Sequence, residues 1–156
     1  MSTIVELNKK VDNFTAETND GAISLSDFNG KYLVLYFYPK DNTPGCTNES
    51  KDFRDLYEDF KSLNTEIVGI SRDSLKSHQN FIDKYELPFE LISDSTEELC
   101  NQFDVIKEKN MFGKIGKGIE RSTFLIDPKG VLIAEWRKVK VAGHADEVLK
   151  TIRESQ

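Results

Sequence analysis

The spacing of apolar and polar positions changes along the chain, and each change marks an element. Residues 32–38 are apolar or aromatic throughout, the pattern of a strand covered on both faces, and Pro39 ends the run. From Pro44 to about Leu63, apolar side chains recur three or four apart at Phe53, Leu56, Tyr57, Phe60 and Leu63, with charges between them. That spacing predicts a helix with one buried stripe. Residues 66–70 predict a second strand, so the segment reads as a βαβ unit with a right-handed crossover. Asp73 or Ser74 caps a helix that buries Leu75, Phe81, Ile82 and Tyr85, and Leu87-Pro88 closes it. After an extended piece at 89–92, Asp94 or Ser95 opens a helix to about Phe103. Residues 122–126 and 131–136 flank Asp127-Pro128-Lys129-Gly130, where Pro presets φ and Gly takes positive φ, which predicts a hairpin. A last helix, 144–153, buries Ala145, Val148, Leu149 and Ile152.

Strand, helix, strand, hairpin and helix in this order resemble a thioredoxin-type core with a helical insertion between its halves and an N-terminal extension. The expected fold is α/β and thioredoxin-like, with a central mixed β-sheet flanked by helices. One domain is expected to cover residues 1–156, since no repeat, low-complexity tract or linker interrupts them.

Composition narrows the function. Hydrophobic residues make up 38% and charged residues 31%, and no apolar run approaches the ~20 residues that span a bilayer. No membrane role is expected. The first residues lack the basic and apolar regions of a secretory signal, so the expected compartment is the cytoplasm. A formal charge of −6 argues against nucleic acid as a partner. Residues 107–121 are the one basic stretch, with five Lys or Arg against two Glu. With Gly113, Gly116 and Gly118 inside it, it reads as a mobile solvated loop, and its glycine spacing fits no phosphate loop. His78 and His144 have no second ligand at metal spacing and read as solvated or helix-end residues, and Trp136 reads as a packing residue.

Cys46 lies between the first strand and the helix that follows it. A thiol in the first turn of a helix faces unpaired backbone N–H groups and the positive end of the macrodipole, both of which favour the thiolate. Two cysteines in a cytoplasmic chain are poor candidates for a structural bridge. The residue three before Cys46 is Thr43, so the Cys-x-x-Cys of a disulfide oxidoreductase is absent. Activation alone also falls short. A thiol of pKa near 8.5 is about 3% ionised at pH 7, so full ionisation gains only about 30-fold. A competent site must also align the substrate and stabilise charge on a departing oxygen.

The spacing Pro39-x-x-x-Thr43-x-x-Cys46, followed by Glu49, resembles the active-site motif of peroxiredoxins. Residues 36–47 are similar to the Q-type subfamily, the bacterioferritin comigratory proteins, and so are residues 103–106 and 118–126. The resemblance implies a thiol peroxidase acting on hydrogen peroxide and organic hydroperoxides, with no metal, haem or flavin, and as a monomer. It implies Cys46 as the peroxidatic nucleophile, with Thr43 bonding the sulfur and the peroxide. Arg121 would bring its guanidinium to the thiolate, Pro39 would shield the sulfur from water, and Glu49 would orient Arg121. The sulfur must be both anionic and reachable from solvent.

The chain departs from the pattern at the resolving thiol. Lys51 stands five residues after Cys46, where many Q-type relatives carry a cysteine, and Ile82 occupies the alternative place on the next helix. Cys100, 54 positions beyond Cys46, is the remaining candidate, although its place beside Leu99 and Phe103 suits packing. A one-cysteine cycle with thioredoxin, glutaredoxin or glutathione as reductant is the leading expectation. A Cys46–Cys100 cycle and a peroxide-sensing role are the alternatives.

Overall fold

The computed structural model describes residues 4–111 and 113–156. In chain order the elements are β1 (Thr15–Thr18), β2 (Gly21–Ser24), a 3-10 turn (Leu25–Phe28), β3 (Tyr32–Phe37), α1 (Pro44–Asp55) and α2 (Tyr57–Ser62). Then come β4 (Thr65–Ser71), α3 (Leu75–Tyr85), β5 (Glu90–Ser93), α4 (Glu98–Gln102), β6 (Ile106–Met111) and β7 (Lys114–Ile119). The chain closes with β8 (Ser122–Ile126), β9 (Leu132–Trp136) and α5 (His144–Ser155). Seven strands form one mixed sheet in the order β2-β1-β5-β4-β3-β8-β9. β3, β4 and β5 pair in parallel at its centre, with antiparallel β8–β9 on one flank and antiparallel β1–β2 on the other. The expected thioredoxin-like architecture is therefore present.

Side chains alternate across the central strands and so divide the interior into two cores. Val34, Tyr36, Ile67, Leu91 and Leu125 face one core, which is completed by Phe53 of α1, Phe60 of α2, Phe81 of α3 and Val148 and Ile152 of α5. Leu33, Leu35, Phe37, Val68, Ile92, Phe124 and Ile126 face the other, completed by Leu99 and Cys100 of α4 together with Phe103, Val11 and Phe14. Four helices thus cover one face, and α4 with the N-terminal segment covers the other.

Several boundaries differ from the expectation. The helix expected from Pro44 to Leu63 breaks at Leu56 (φ −98°, ψ 3°), and no Gly or Pro marks the break. Ser74 rather than Asp73 caps α3, its side chain accepting from the Ser77 N–H, and Leu75 at the first helical position is 39% exposed instead of buried. α4 is shorter than expected. Its N-cap residue is Glu97 rather than Asp94 or Ser95, while the Asp94 carboxylate accepts from the backbone N–H groups of Leu99 and Cys100 at 3.1 and 2.7 Å. The basic stretch is not a loop: β6 and β7 pair as an antiparallel two-stranded ribbon, so the Gly-rich string does follow a strand. Because Gly116 pairs with Lys109 and Gly118 with Lys107, the ribbon's glycines oppose long cationic side chains. Among the described residues no helix is long and apolar enough to cross a membrane.

One glycine in the central sheet bears on the site. Gly69 of β4 lies between Tyr36 and Leu91, and a Cβ there would come within 2.6 Å of Leu91 Cδ2 and 2.7 Å of Tyr36 Cζ. The absent side chain makes room for the Tyr36 ring, whose hydroxyl meets Ser50 Oγ of α1 at 2.9 Å. Gly69→Ala is expected to destabilise the protein by about 1–3 kcal/mol through overpacking, read as a lower midpoint in urea unfolding.

Candidate active site

Three elements converge on one sulfur. α1 begins at Pro44, which suits a first helical position because its missing N–H would have no partner there, and Cys46 follows in the first turn. Arg121 stands just before β8, and β8 pairs with β3, which leads into the loop ahead of α1. Arg121 Nη2 donates to Cys46 Sγ at 3.3 Å, and Arg121 Nη1 donates to Glu49 Oε1 at 2.6 Å. The guanidinium fork spans the helical turn between residues 46 and 49, which share a face. Gly45 permits that approach: a Cβ at this position would lie 3.1 Å from Arg121 Nη2.

Glu49 is not an exposed first-turn acid. It is 1% exposed, and its second oxygen, Oε2, is the buried side-chain atom left without a hydrogen-bond partner among the described residues. Burial pushes its carboxyl up to about 7, against the pull of the Arg121 charge and with a small push from Asp52. Burial works against the Arg121 charge, but Glu49 and Cys46 outweigh it and hold the guanidinium protonated. Arg121 itself is no surface residue, since only 16% of its side chain is exposed.

The other expected residues are placed less simply. Thr43 is the N-cap residue of α1 and half-buried, but its hydroxyl donates to the Lys40 carbonyl at 2.8 Å. The expected bond from that hydroxyl to the sulfur is not made, which leaves the oxygen's lone pairs to accept from a substrate O–H. Pro39 is half-buried where β3 gives way to the loop. Cys46 is 0% exposed, so the sulfur expected to be open to solvent is covered. Burial alone would suit an inert core thiol. The cation held against the sulfur points the other way, because a thiol used only for packing needs no guanidinium.

Cys100 is distant in kind as well as in sequence. It is 0% exposed and packs in the core on the sheet face opposite Cys46. Burial, then the hydrogen bond and charge of Asp94, push its thiol far up, so it is held protonated.

Of the two readings for the histidines, solvated or helix-end, His144 meets the second at the start of α5, but neither side chain is solvated. His144, at the start of α5, is 4% exposed, and its Nε2 lies 2.7 Å from Thr123 Oγ1. Burial, aided by the Arg121 charge, holds it down to about 4, so the ring is neutral at pH 7. His78 is fully buried, with Nδ1 2.8 Å from Asp41 Oδ2 and Nε2 2.9 Å from the Ile92 carbonyl. The signal was present in the helical spacing, since His78, Phe81, Ile82 and Tyr85 occupy positions i, i+3, i+4 and i+7 of one stripe.

A model described as the AhpC/TSA family matches residues 7–135. The chain is 58% identical over 124 residues to peroxiredoxin Bcp of Xanthomonas campestris pv. campestris, covering 80% of this chain and 78% of the relative. It is 50% identical over 151 residues to peroxiredoxin Bcp of Bacillus subtilis, covering 96% of each. Among solved structures it is similar to the Xanthomonas campestris bacterioferritin comigratory protein (TM-score 0.87, 51% identity, 91% of each chain). It is also similar to a Xylella fastidiosa PrxQ variant (TM-score 0.92, 44% identity, 98% of each chain).

Glu49 makes a test that activity does not enter. Its folded value of about 7 lies above its ordinary 4.5, so between those values the folded state binds the extra proton and stability falls as pH rises. Relative to Glu49→Gln, the parent is expected to lose stability across that window, by about 3 kcal/mol at most, and then level off above pH 7. Urea midpoints at a series of pH values check it. A parent that gains on Glu49→Gln as pH rises would reverse the sign.

Proposed function

Because the chain belongs to the AhpC/TSA family and is a peroxiredoxin of the Bcp and Q kind, and so a thiol peroxidase, we propose that it reduces hydrogen peroxide and organic hydroperoxides at Cys46 by a one-cysteine cycle. The observation that carries the catalytic assignment is the Arg121 guanidinium, 3.3 Å from Cys46 Sγ and anchored on buried Glu49. The related Xanthomonas structure is described in terms of alkyl peroxide reduction, with trapped intermediate and ligand complexes, which supports including organic hydroperoxides.

The chemistry balances with the residues present. The Cys46 thiolate attacks one peroxide oxygen. An S–O bond forms, the O–O bond breaks, and the departing oxygen leaves as water or an alcohol after taking a proton. Arg121 has two jobs: its Nη2 donates to the sulfur at 3.3 Å, and it offers N–H donors to oxygen atoms in the polarised transition state. Thr43 accepts from the peroxide O–H and so orients the O–O bond toward the sulfur. Pro39 limits water at the mouth of the site. Access needs movement, since Cys46 is covered while its neighbours Thr43 and Gly45 are half-buried. A small shift of the first helical turn is the shortest route to the sulfur.

Regeneration needs an external thiol. The sulfenic acid condenses with that thiol, releasing water and leaving a mixed disulfide, and a second thiol frees Cys46. Thioredoxin, glutaredoxin or glutathione supplies the thiols in this reading. The placement of Cys100 supports it: to reach Cys46, that thiol would have to leave one core and cross a seven-stranded sheet.

Intact mass after one equivalent of peroxide separates the cycles. A gain of one oxygen is expected, unchanged in Cys100→Ser and absent in Cys46→Ser, whereas a loss of two hydrogens would establish the internal bridge. Arg121→Ala is expected to lower the second-order rate of Cys46 oxidation about a hundredfold in stopped flow, with the fold retained by circular dichroism.

A further inference from the structure

We infer that His78 is a positioning residue for the peroxidase site, fixing Asp41 and through it the loop that carries Pro39 and Thr43. The inference rests on the peroxidase reading of Cys46. It concerns a residue far from the helix that bears the sulfur in sequence, on α3.

The loop between β3 and α1 has one backbone bond to the sheet, from the Tyr38 N–H to the Ile70 carbonyl at 3.0 Å, so past Tyr38 its placement rests on side chains. Asp41 is its buried anchor, and every bond to that anchor comes from outside the catalytic residues. Its Oδ1 accepts from the Tyr38 hydroxyl at 2.6 Å, and its Oδ2 accepts from Ser77 Oγ and His78 Nδ1, each at 2.8 Å. Its backbone N–H donates to Asp73 Oδ2 at 2.8 Å. Burial alone would raise the Asp41 carboxyl, but the bonds from His78, Tyr38 and Ser77 prevail and hold it low, as a carboxylate.

His78 is held from both sides. Its Nδ1 meets a carboxylate oxygen and its Nε2 the Ile92 carbonyl of β5, and both are acceptors. With both ring nitrogens engaged, the imidazole plane is fixed between the loop and β5. A buried polar pair of this kind adds little to stability over apolar side chains of the same volume. What it adds is direction, because it ties the loop to β5 in the middle of the sheet through rigid groups.

The tie lands next to the chemistry. The Lys40 carbonyl, one residue before Asp41, receives the Thr43 hydroxyl at 2.8 Å, and Asn42, one residue after, turns the chain with φ 62°. Rotation of Asp41 would therefore move the carbonyl that sets the Thr43 hydroxyl. Asp41, Asp73 and His78 also bring potential metal ligands within 4.8 Å of one another. Their facing atoms already meet O–H and N–H donors, so the cluster reads as a hydrogen-bonded clamp.

Two substitutions divide the two bonds. His78→Asn places an amide N–H where Nδ1 stood and keeps the link to Asp41. His78→Gln places it where Nε2 stood and keeps only the link to Ile92. The readouts are the stopped-flow rate of Cys46 oxidation by hydrogen peroxide and the thermal midpoint of the same sample. The Gln variant is expected to react about tenfold or more slowly and the Asn variant close to the parent, with similar midpoints, since misplacement of an orienting group costs rate steeply. Asp41→Asn, which leaves His78 and Ile92 in place, is expected to share the slow rate. Parent-like rates in His78→Gln and Asp41→Asn, or rates that fall in step with midpoints in every variant, overturn the inference. A parent whose Cys46 does not react with peroxide overturns the peroxidase reading as well, so the two failures are distinguishable.

Discussion

One guanidinium facing two potential anions governs the site. Arg121 reaches Cys46 Sγ with one nitrogen and Glu49 with another, in a place nearly closed to water. A single positive charge neutralises a single negative one, and in a low-dielectric pocket a second full anion would be expensive. Burial resolves the competition by keeping Glu49 partly protonated near pH 7. The carboxyl then serves as a hydrogen-bond rest for the guanidinium without consuming its charge, which in the proposed reaction stays available to sulfur and to oxygen in the transition state. The orphaned Oε2 fits this account, because a carboxyl carrying a proton there needs less solvation than a carboxylate.

The same geometry explains why the sheet matters to redox chemistry. Strict alternation on β3, β4 and β5 sends every second side chain to the opposite face, so helices on different faces share no core. Cys46 and Cys100 belong to helices on different faces, and local unwinding of either helix leaves the sheet between them. In the proposed one-cysteine cycle, the reducing thiol would approach from the side on which α1 lies. The chain also lacks cysteine at Lys51 and Ile82, and both of those positions are on helices covering that face.

Elements with a strong period were legible in the sequence. β3, the β8–β9 hairpin and α5 lie within two residues of expectation, because each has a single dominant pattern or an unmistakable turn. The β1–β2 hairpin was read only as an N-terminal extension, since four-residue strands at a sheet edge carry too little alternation to stand out. The β6–β7 ribbon was read as a loop because its glycines and lysines mimic solvated chain, and its pairing is a nonlocal fact. At the site, Cys46, Arg121 and Glu49 do come together. The Thr43 hydroxyl turns to its own loop, and His78 was discounted by residue type although its spacing placed it on the buried stripe. Buried ion pairs are hard to read from one sequence because each partner alone looks like a surface residue.

A covered sulfur and a working peroxidase are compatible only if the cover is weakly held. The first turn of α1 has no side-chain cap, since Thr43 spends its hydroxyl on Lys40, and its early N–H groups draw little from side chains. Further along, Tyr36 holds Ser50, and Phe53 stacks on Tyr36 at 4.8 Å, so the helix is firm from its second turn onward. Side-chain anchoring therefore grows along the helix, from an uncapped first turn to the stacked Phe53. The Arg121 contact with Cys46 Sγ pins that first turn in place. In the proposed cycle, adding oxygen to the sulfur replaces the atom that Arg121 touches, so oxidation itself would weaken the pin and free the turn for the reducing thiol.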